Sequence, residues 1–335
     1  MKKLLIVYSV LIGLFILYLY NSNIIESTSN HWETQGLQGE ITDKYVMVTF
    51  QSGMDYWKSS LKGFEDAASA LNVSVEYRGA ANYDIQEQII VLEQVIAKKP
   101  AGIALSAIDP YELTDTINKA IHAGVPVVLF DSGASESKAY SFLGTNNYNA
   151  GVTAAHEMAN LVNEEGEVAV ITLPNQLNHQ ERTQGFKETI HNTYPKMTIV
   201  AIEDGKGDRL NSKDVTHELV EEYPNLAGIF ATEANGGVGV GEAVRLDKKV
   251  GEVQIIGFDT DKGTLDMVDE GIISATLAQG TWNMGYWSLL FLFHLQNDLT
   301  EPQILPTRDS APLPVYVDTG VTLVTKENVD FYFAD

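Results

Sequence analysis

An α/β protein of two doubly wound parallel-sheet lobes is what this sequence predicts, on three observations. Short apolar runs alternate with longer amphipathic ones from Lys44 onward, the pattern of strand–helix–strand units with right-handed crossovers. The alternation restarts after Thr145, which requires a second lobe. Runs ending at Asp131, Asp259 and Gln279 each stop on one polar residue, and the carboxyl edge of such a sheet is where ligands bind.

In the first series, 46–50 reads as a strand, 56–71 as a helix and 73–78 as the next strand. Ile85, Ile89, Leu92 and Ile96 recur at helical spacing and mark one buried face. A strand over 102–106, a helix over 111–122 and a buried strand ending at Asp131 follow, punctuated by Gly124, Pro126 and Gly133. In the second series, helices over 149–162, 180–192, 214–222 and 237–246 alternate with strands over 168–173, 197–202, 227–232 and 255–258. A strand over 272–278, an apolar core helix over 282–296 and a strand-like run over 315–324 complete the chain.

The chain has 335 residues, enough for two lobes. Its net charge of −23 argues against nucleic acid, whose phosphates select basic surfaces. No cysteine occurs, which excludes disulfides, thiolate metal sites, cysteine nucleophiles and a lipid-bearing cysteine. Lys2 and Lys3 precede an uncharged apolar run that begins at Leu4 and ends at Tyr20. At about 1.5 Å per residue, that run covers most of a hydrocarbon core about 30 Å thick. No alanine precedes Ala67, so an A-x-A cleavage site is missing. The paired lysines favour an inside N-terminus. Residues 1–22 are therefore expected to form a membrane anchor and 23–43 a polar tether, with the lobes on the extracellular face of the membrane.

Several motifs give bland readings. GGVGVG at 236–241 lacks dinucleotide spacing and reads as close helix packing. Asp259, Asp261 and Glu270 imitate a calcium loop, but Thr264 stands where its turn needs glycine, so no metal is expected. Neither H-E-x-x-H nor G-x-S-x-G occurs; His179 lies near Arg182, where it could help a site, but a surface histidine is the favoured reading. The adjacent aromatics Tyr56 and Trp57 follow the first strand and suit the apolar face of a ring-shaped ligand. Asp131, Asp259 and Gln279 suit its hydroxyls.

In order along the chain, AGIALSAIDP, GVPVVLFDS, GTNNYNAG, QERTQGF, GIFATEANGGVGV, IIGFD and TLAQ carry a family resemblance. From about Lys44 to Asp330 the chain resembles the type I periplasmic binding proteins of the ribose- and galactose-binding group. The resemblance implies lobes of 44–145 plus 280–307 and 146–279 plus 308–335, joined by a three-segment hinge. It implies that Tyr56 and Trp57 sandwich a sugar ring, and that Asp131, Arg182 and Asp259 bind its hydroxyls. Glu233, with Asn235 nearby, stands where asparagine is common, and Gln279 touches ligand at the interlobe crossover. Ser132 replaces the usual arginine, and Gly207 a frequent aromatic.

The function so implied needs neither cofactor nor catalysis. Two lobes close around a pentose or hexose and present it to a membrane partner. That partner is the permease of an ABC importer or the extracellular domain of a sensor histidine kinase. The alternative is a secreted carbohydrate hydrolase using Glu233 and Asp259 as paired carboxylates. A cytoplasmic repressor would need a DNA-binding segment where the apolar run stands.

Overall fold

The computed structural model describes residues 36–299 and 312–333. The expected anchor and residues 23–35 of the expected tether lie outside the described residues. Among those described, no helix is long and apolar enough to cross a membrane.

In the first lobe, strands β1 (Lys44–Thr49), β2 (Ser74–Gly79), β3 (Gly102–Leu105), β4 (Val127–Phe130) and β5 (Phe142–Gly144) alternate with helices α1 (Trp57–Leu71), α2 (Ile85–Ala97) and α3 (Thr114–His122). β3 and β4 are buried at every position, as strands covered by helices on both faces must be. In α2, Leu92 and Ile96 are buried as the spacing predicts, while Ile85 and Ile89 are only partly covered. A polar residue shares that face. Gln88 is fully buried, donates to the Ser106 carbonyl and accepts from the Ile108 amide, so it pins the loop after β3. α3 starts later than expected because the Asp109 carboxylate takes the amides of Tyr111 and Glu112 into a turn.

The second lobe repeats the theme with α4 (Asn147–Leu161), β6 (Gly166–Thr172), α5 (Leu177–Thr193), β7 (Met197–Asp204), α6 (Arg209–Glu222), β8 (Leu226–Ala231), α7 (Ala234–Leu246), β9 (Gln254–Phe258), α8 (Lys262–Asp269) and β10 (Ala275–Gln279). Short polar side chains cap these helices and set their starts: Asn146 for α4, Asp208 for α6 and Asp261 for α8. The cap at Asp261 also accounts for the residues that imitate a calcium loop. Asp261 and Glu270 bound a capped helix and Asp259 stands ahead of it, and among the described residues no cluster is arranged to hold a metal. Helix α9 (Thr281–Gln296) returns to the first lobe and lies on α1, β3 and β4.

Two short strands finish the chain, β11 (Tyr316–Asp318) and β12 (Val321–Thr325). The first sheet runs β11-β5-β4-β3-β1-β2 and is wholly parallel; the second runs β12-β10-β9-β8-β6-β7, with only β12 antiparallel. The run expected as one strand over 315–324 is thus broken at Gly320, whose φ of +84° turns the chain from one sheet to the other. Assigning 308–335 wholly to the second lobe is therefore corrected at Tyr316–Asp318, which pairs with β5 in the first. The chain passes between the sheets three times: after β5, after β10 and between β11 and β12.

Each lobe seats its incoming helix on its first helix, backbone to backbone. A Cβ on Gly63 would lie 2.1 Å from the Trp282 carbonyl, and one on Gly285 1.8 Å from that of Ser60. In the second lobe, a Cβ on Gly151 would lie 2.0 Å from the Arg182 carbonyl, and one on Gly185 2.1 Å from that of Tyr148. GGVGVG serves the same end. A Cβ on Gly239 would meet the Arg209 carbonyl at 2.3 Å, where α7 crosses α6.

Candidate functional site

The carboxyl ends of the strands converge on a cavity of about 470 Å³ between the lobes. Its walls include all eight side chains expected from the sequence: Tyr56, Trp57, Asp131, Arg182, Glu233, Asn235, Asp259 and Gln279.

Asp131 and Asp259 occupy equivalent places, one residue past β4 and β9. Both take the left-handed conformation, with φ of 61° and 69°. Such values are uncommon outside glycine, and they concentrate at functional sites. Each amide still donates to the neighbouring strand: Asp131 to the Leu143 carbonyl at 3.0 Å and Asp259 to that of Leu277 at 2.8 Å. The ladder therefore continues while the chain turns out of the sheet.

The first-lobe wall is built around Asp131. The Tyr56 hydroxyl and the Ser106 hydroxyl both donate to its carboxylate. Burial raises the Asp131 pKa, and the Tyr56 hydrogen bond, the Arg182 charge and the Ser106 hydrogen bond oppose the rise. Trp57 is 2% exposed, donates its indole N–H to the Phe50 carbonyl at 2.9 Å and packs edge-on against Phe50 and Phe130. The Tyr56 and Trp57 rings meet at 4.8 Å and 71°. They form one continuous wall and leave no slot between them, so the pair cannot sandwich a ring as expected.

The second-lobe wall is built around Arg182, which is 1% exposed. Its Nε donates to Asn147 Oδ1 at 2.9 Å, Nη1 to the Thr232 carbonyl at 2.8 Å and Nη2 to Gln279 Oε1 at 3.0 Å. The guanidinium lies 3.6 Å over the Phe258 ring. Of its five N–H groups, two remain for a ligand. Glu233 caps α7 through Oε2, while its buried Oε1 has no hydrogen-bond partner among the described residues. Asn235 donates to the Gly207 carbonyl at 3.1 Å and so closes the floor. Burial pushes both Glu233 and Asp259 up to about 7. The Asp259 charge adds to the rise at Glu233, and Arg182 restrains that of Asp259.

Gln279 joins the two walls. Its amide nitrogen donates to the Tyr56 hydroxyl at 3.1 Å and to Asp259 Oδ1 at 2.7 Å. Its oxygen accepts from Thr145 at 2.8 Å and Arg182 at 3.0 Å. Both ends of one amide are thus shared between the lobes.

Sequence reasoning did not place His179, Gln176 or Asn178 in the cavity. His179 is 5% exposed, which corrects the surface reading; its Nδ1 is 3.1 Å from Thr232 Oγ1. Burial and the Arg182 charge hold its pKa well below the usual value, so the ring is neutral. Gln176 has a buried Nε2 without a partner among the described residues. A signal existed for the histidine, because His179 stands one helical turn before Arg182 and shares its face. Gln176 lies ahead of the helix and left none.

Three carboxyl groups, one guanidinium, amides and a phenol make a dense shell of hydrogen-bond donors and acceptors. An unpaired buried donor or acceptor costs about 1–3 kcal/mol, so Gln176 Nε2 and Glu233 Oε1 favour a polar occupant. The low ratio of cation to acid suits a neutral polyhydroxylated molecule better than an anion.

Comparison with known proteins agrees with this geometry. The chain is 75% identical to a sugar-binding protein of a sugar ABC transporter from Bacillus halodurans, with a TM-score of 0.83 over 87% of this chain and 100% of that one. It is 67% identical to the arabinose binding protein AraP from Geobacillus stearothermophilus, with a TM-score of 0.79 over 87% and 99% of the two chains. The XylFII–LytSN complex matches at 25% identity and a TM-score of 0.76, over 85% of this chain and 98% of that one. Among curated relatives, the D-allose-binding periplasmic protein of Escherichia coli is 25% identical over 82% of this chain and 90% of its own length. The family model for the periplasmic binding protein domain matches residues 45–298, and the chain belongs to that family.

Proposed function

We propose that this chain is an extracytoplasmic binding protein that closes its two lobes around a monosaccharide. The observation that carries the reading is the Gln279 amide. It bridges Tyr56 and Thr145 of one lobe to Arg182 and Asp259 of the other, beside a donor and an acceptor with no partner among the described residues. Only a closed arrangement brings these groups to one ligand, so the ligand shifts the open–closed equilibrium by its differential affinity. The three passages of chain between the sheets are the segments about which the lobes move. Arabinose is the first sugar to test, given the relative that binds it.

The apolar run from Leu4 to Tyr20 supports a membrane anchor that holds the lobes at the outer face. The membrane partner is the permease of an ABC importer or the outer domain of a sensor kinase. The Bacillus halodurans relative supports the first and the XylFII–LytSN complex the second. Names of the matched relatives speak for binding rather than for hydrolysis at Glu233 and Asp259.

Calorimetric titration of the full chain with arabinose, xylose, ribose, galactose and glucose tests the reading. Saturable binding of at least one of them, one sugar per chain, is expected. The absence of heat with every sugar overturns it.

A further inference from the structure

A second cavity, of about 840 Å³, opens beside the first. Asp131 and Asn178 line both. From the first lobe it receives the loop after β4, with Ser135, and the partly stacked rings of Phe142 and Tyr316, 5.8 Å apart at 25°. From the second lobe it receives the start of α5, with Asn178 and Glu181. Among the described residues no lysine or arginine lines it, and its one acid besides Asp131 is Glu181, so the described wall favours a neutral occupant over a phosphate or carboxylate.

We infer that this cavity is a second sugar subsite, which takes the next ring of a short neutral oligosaccharide whose first ring occupies the cavity at Arg182. The inference rests on the sugar-binding reading above and extends it. Three features carry it beyond a surface hollow. Asn178 is 6% exposed; its Oδ1 accepts from the His179 amide, and its Nδ2 has no partner among the described residues. Asn178 lines both cavities, so one side chain is shared between them. Glu181 is one residue from Arg182 and lines the second cavity, so both cavities draw on the same helix start. Burial raises the pKa of Glu181, as at the acids of the first cavity. The Phe142–Tyr316 wall supplies the flat apolar surface on which the C–H face of a sugar rests.

The test is calorimetry on the full chain with arabinose and xylose against α-1,5-arabinobiose and β-1,4-xylobiose. At least one disaccharide is expected to bind in one-to-one ratio, and more tightly than its monosaccharide. Ser135→Trp, at an exposed loop position, fills the second cavity, and Glu181→Gln alters its acid. Each is expected to weaken the disaccharide by about tenfold or more, as loss of one charged hydrogen bond does. Affinity for the monosaccharide is expected to stay within about twofold. Failure of both disaccharides while a monosaccharide binds overturns the subsite alone. Equal weakening of both ligand classes by Ser135→Trp also overturns it. Binding of no sugar at all overturns the sugar reading itself, and the subsite with it.

Discussion

The two lobes share a backbone plan and differ in chemistry. Each places an aspartate in left-handed backbone one residue past a central strand and ties its amide to the next strand. Each seats its incoming helix on its first helix through a pair of glycines. Yet the first lobe surrounds Asp131 with neutral hydroxyls, whereas the second gathers Arg182, Glu233 and Asp259. The backbone plan fixes where a functional group stands. The side chains then decide whether a lobe supplies a wall or a charge. The second lobe should therefore dominate recognition and pH response, and the first should act mainly as a surface to close against.

The hardest way to break this contrast is Arg182→Ala. It removes the one guanidinium that faces the buried acids, and a loss of about 2–5 kcal/mol of sugar affinity is expected by calorimetry. A loss no larger than that from a first-lobe change would end the asymmetry. Next come the paired glycines. Gly285→Ala and Gly151→Ala each drive a methyl into backbone, and each is expected to lower unfolding stability by about 1–3 kcal/mol in denaturant melts. Only Gly151→Ala should also weaken binding, since its methyl displaces the Arg182 backbone. Tyr56→Phe is milder. It removes a donor to Asp131 and a partner of Gln279, and should cost about 1–2 kcal/mol of affinity.

The smallest effect is in pH. Folding raises Glu233 and Asp259 to about 7, above the ordinary carboxylate range near ~4. Between those values the folded chain holds protons that the unfolded chain has released. The associated stability is complete below about pH 4 and is lost as pH rises through about 7. The thermal midpoint should thus fall from pH 5 to pH 8, and Glu233→Gln should flatten the fall. A midpoint that rises over that range would contradict the burial of these acids.

Much of this was legible in the sequence. The alternation of runs located both sheets, and the polar residues closing apolar strands located Asp131, Asp259 and Gln279. Periodicity failed where a local interaction outweighed it. β5 has three residues, too few to show alternation. Gln88 sits on an apolar helix face because backbone groups of the next loop satisfy its amide. Gly320 split one apparent strand into two. Trp57 looked equal to Tyr56, yet its indole points into the core and bonds to Phe50. A neighbouring position along the chain gives no information about which of two rings faces the cleft.

The strands on either side of Gly320 have a consequence for solubility. β11 covers the open edge of β5, and β12 covers that of β10, so one stretch of chain shields an edge of each sheet. Leu143 of β5 and the first four residues of β10 are buried. A single proteolytic cut ahead of Tyr316, followed by loss of the tail, would bare two unpaired apolar edges at once. Such edges template pairing with other chains. The nicked protein would leave solution by self-association, even with every side chain that lines the cavity at Arg182 still attached.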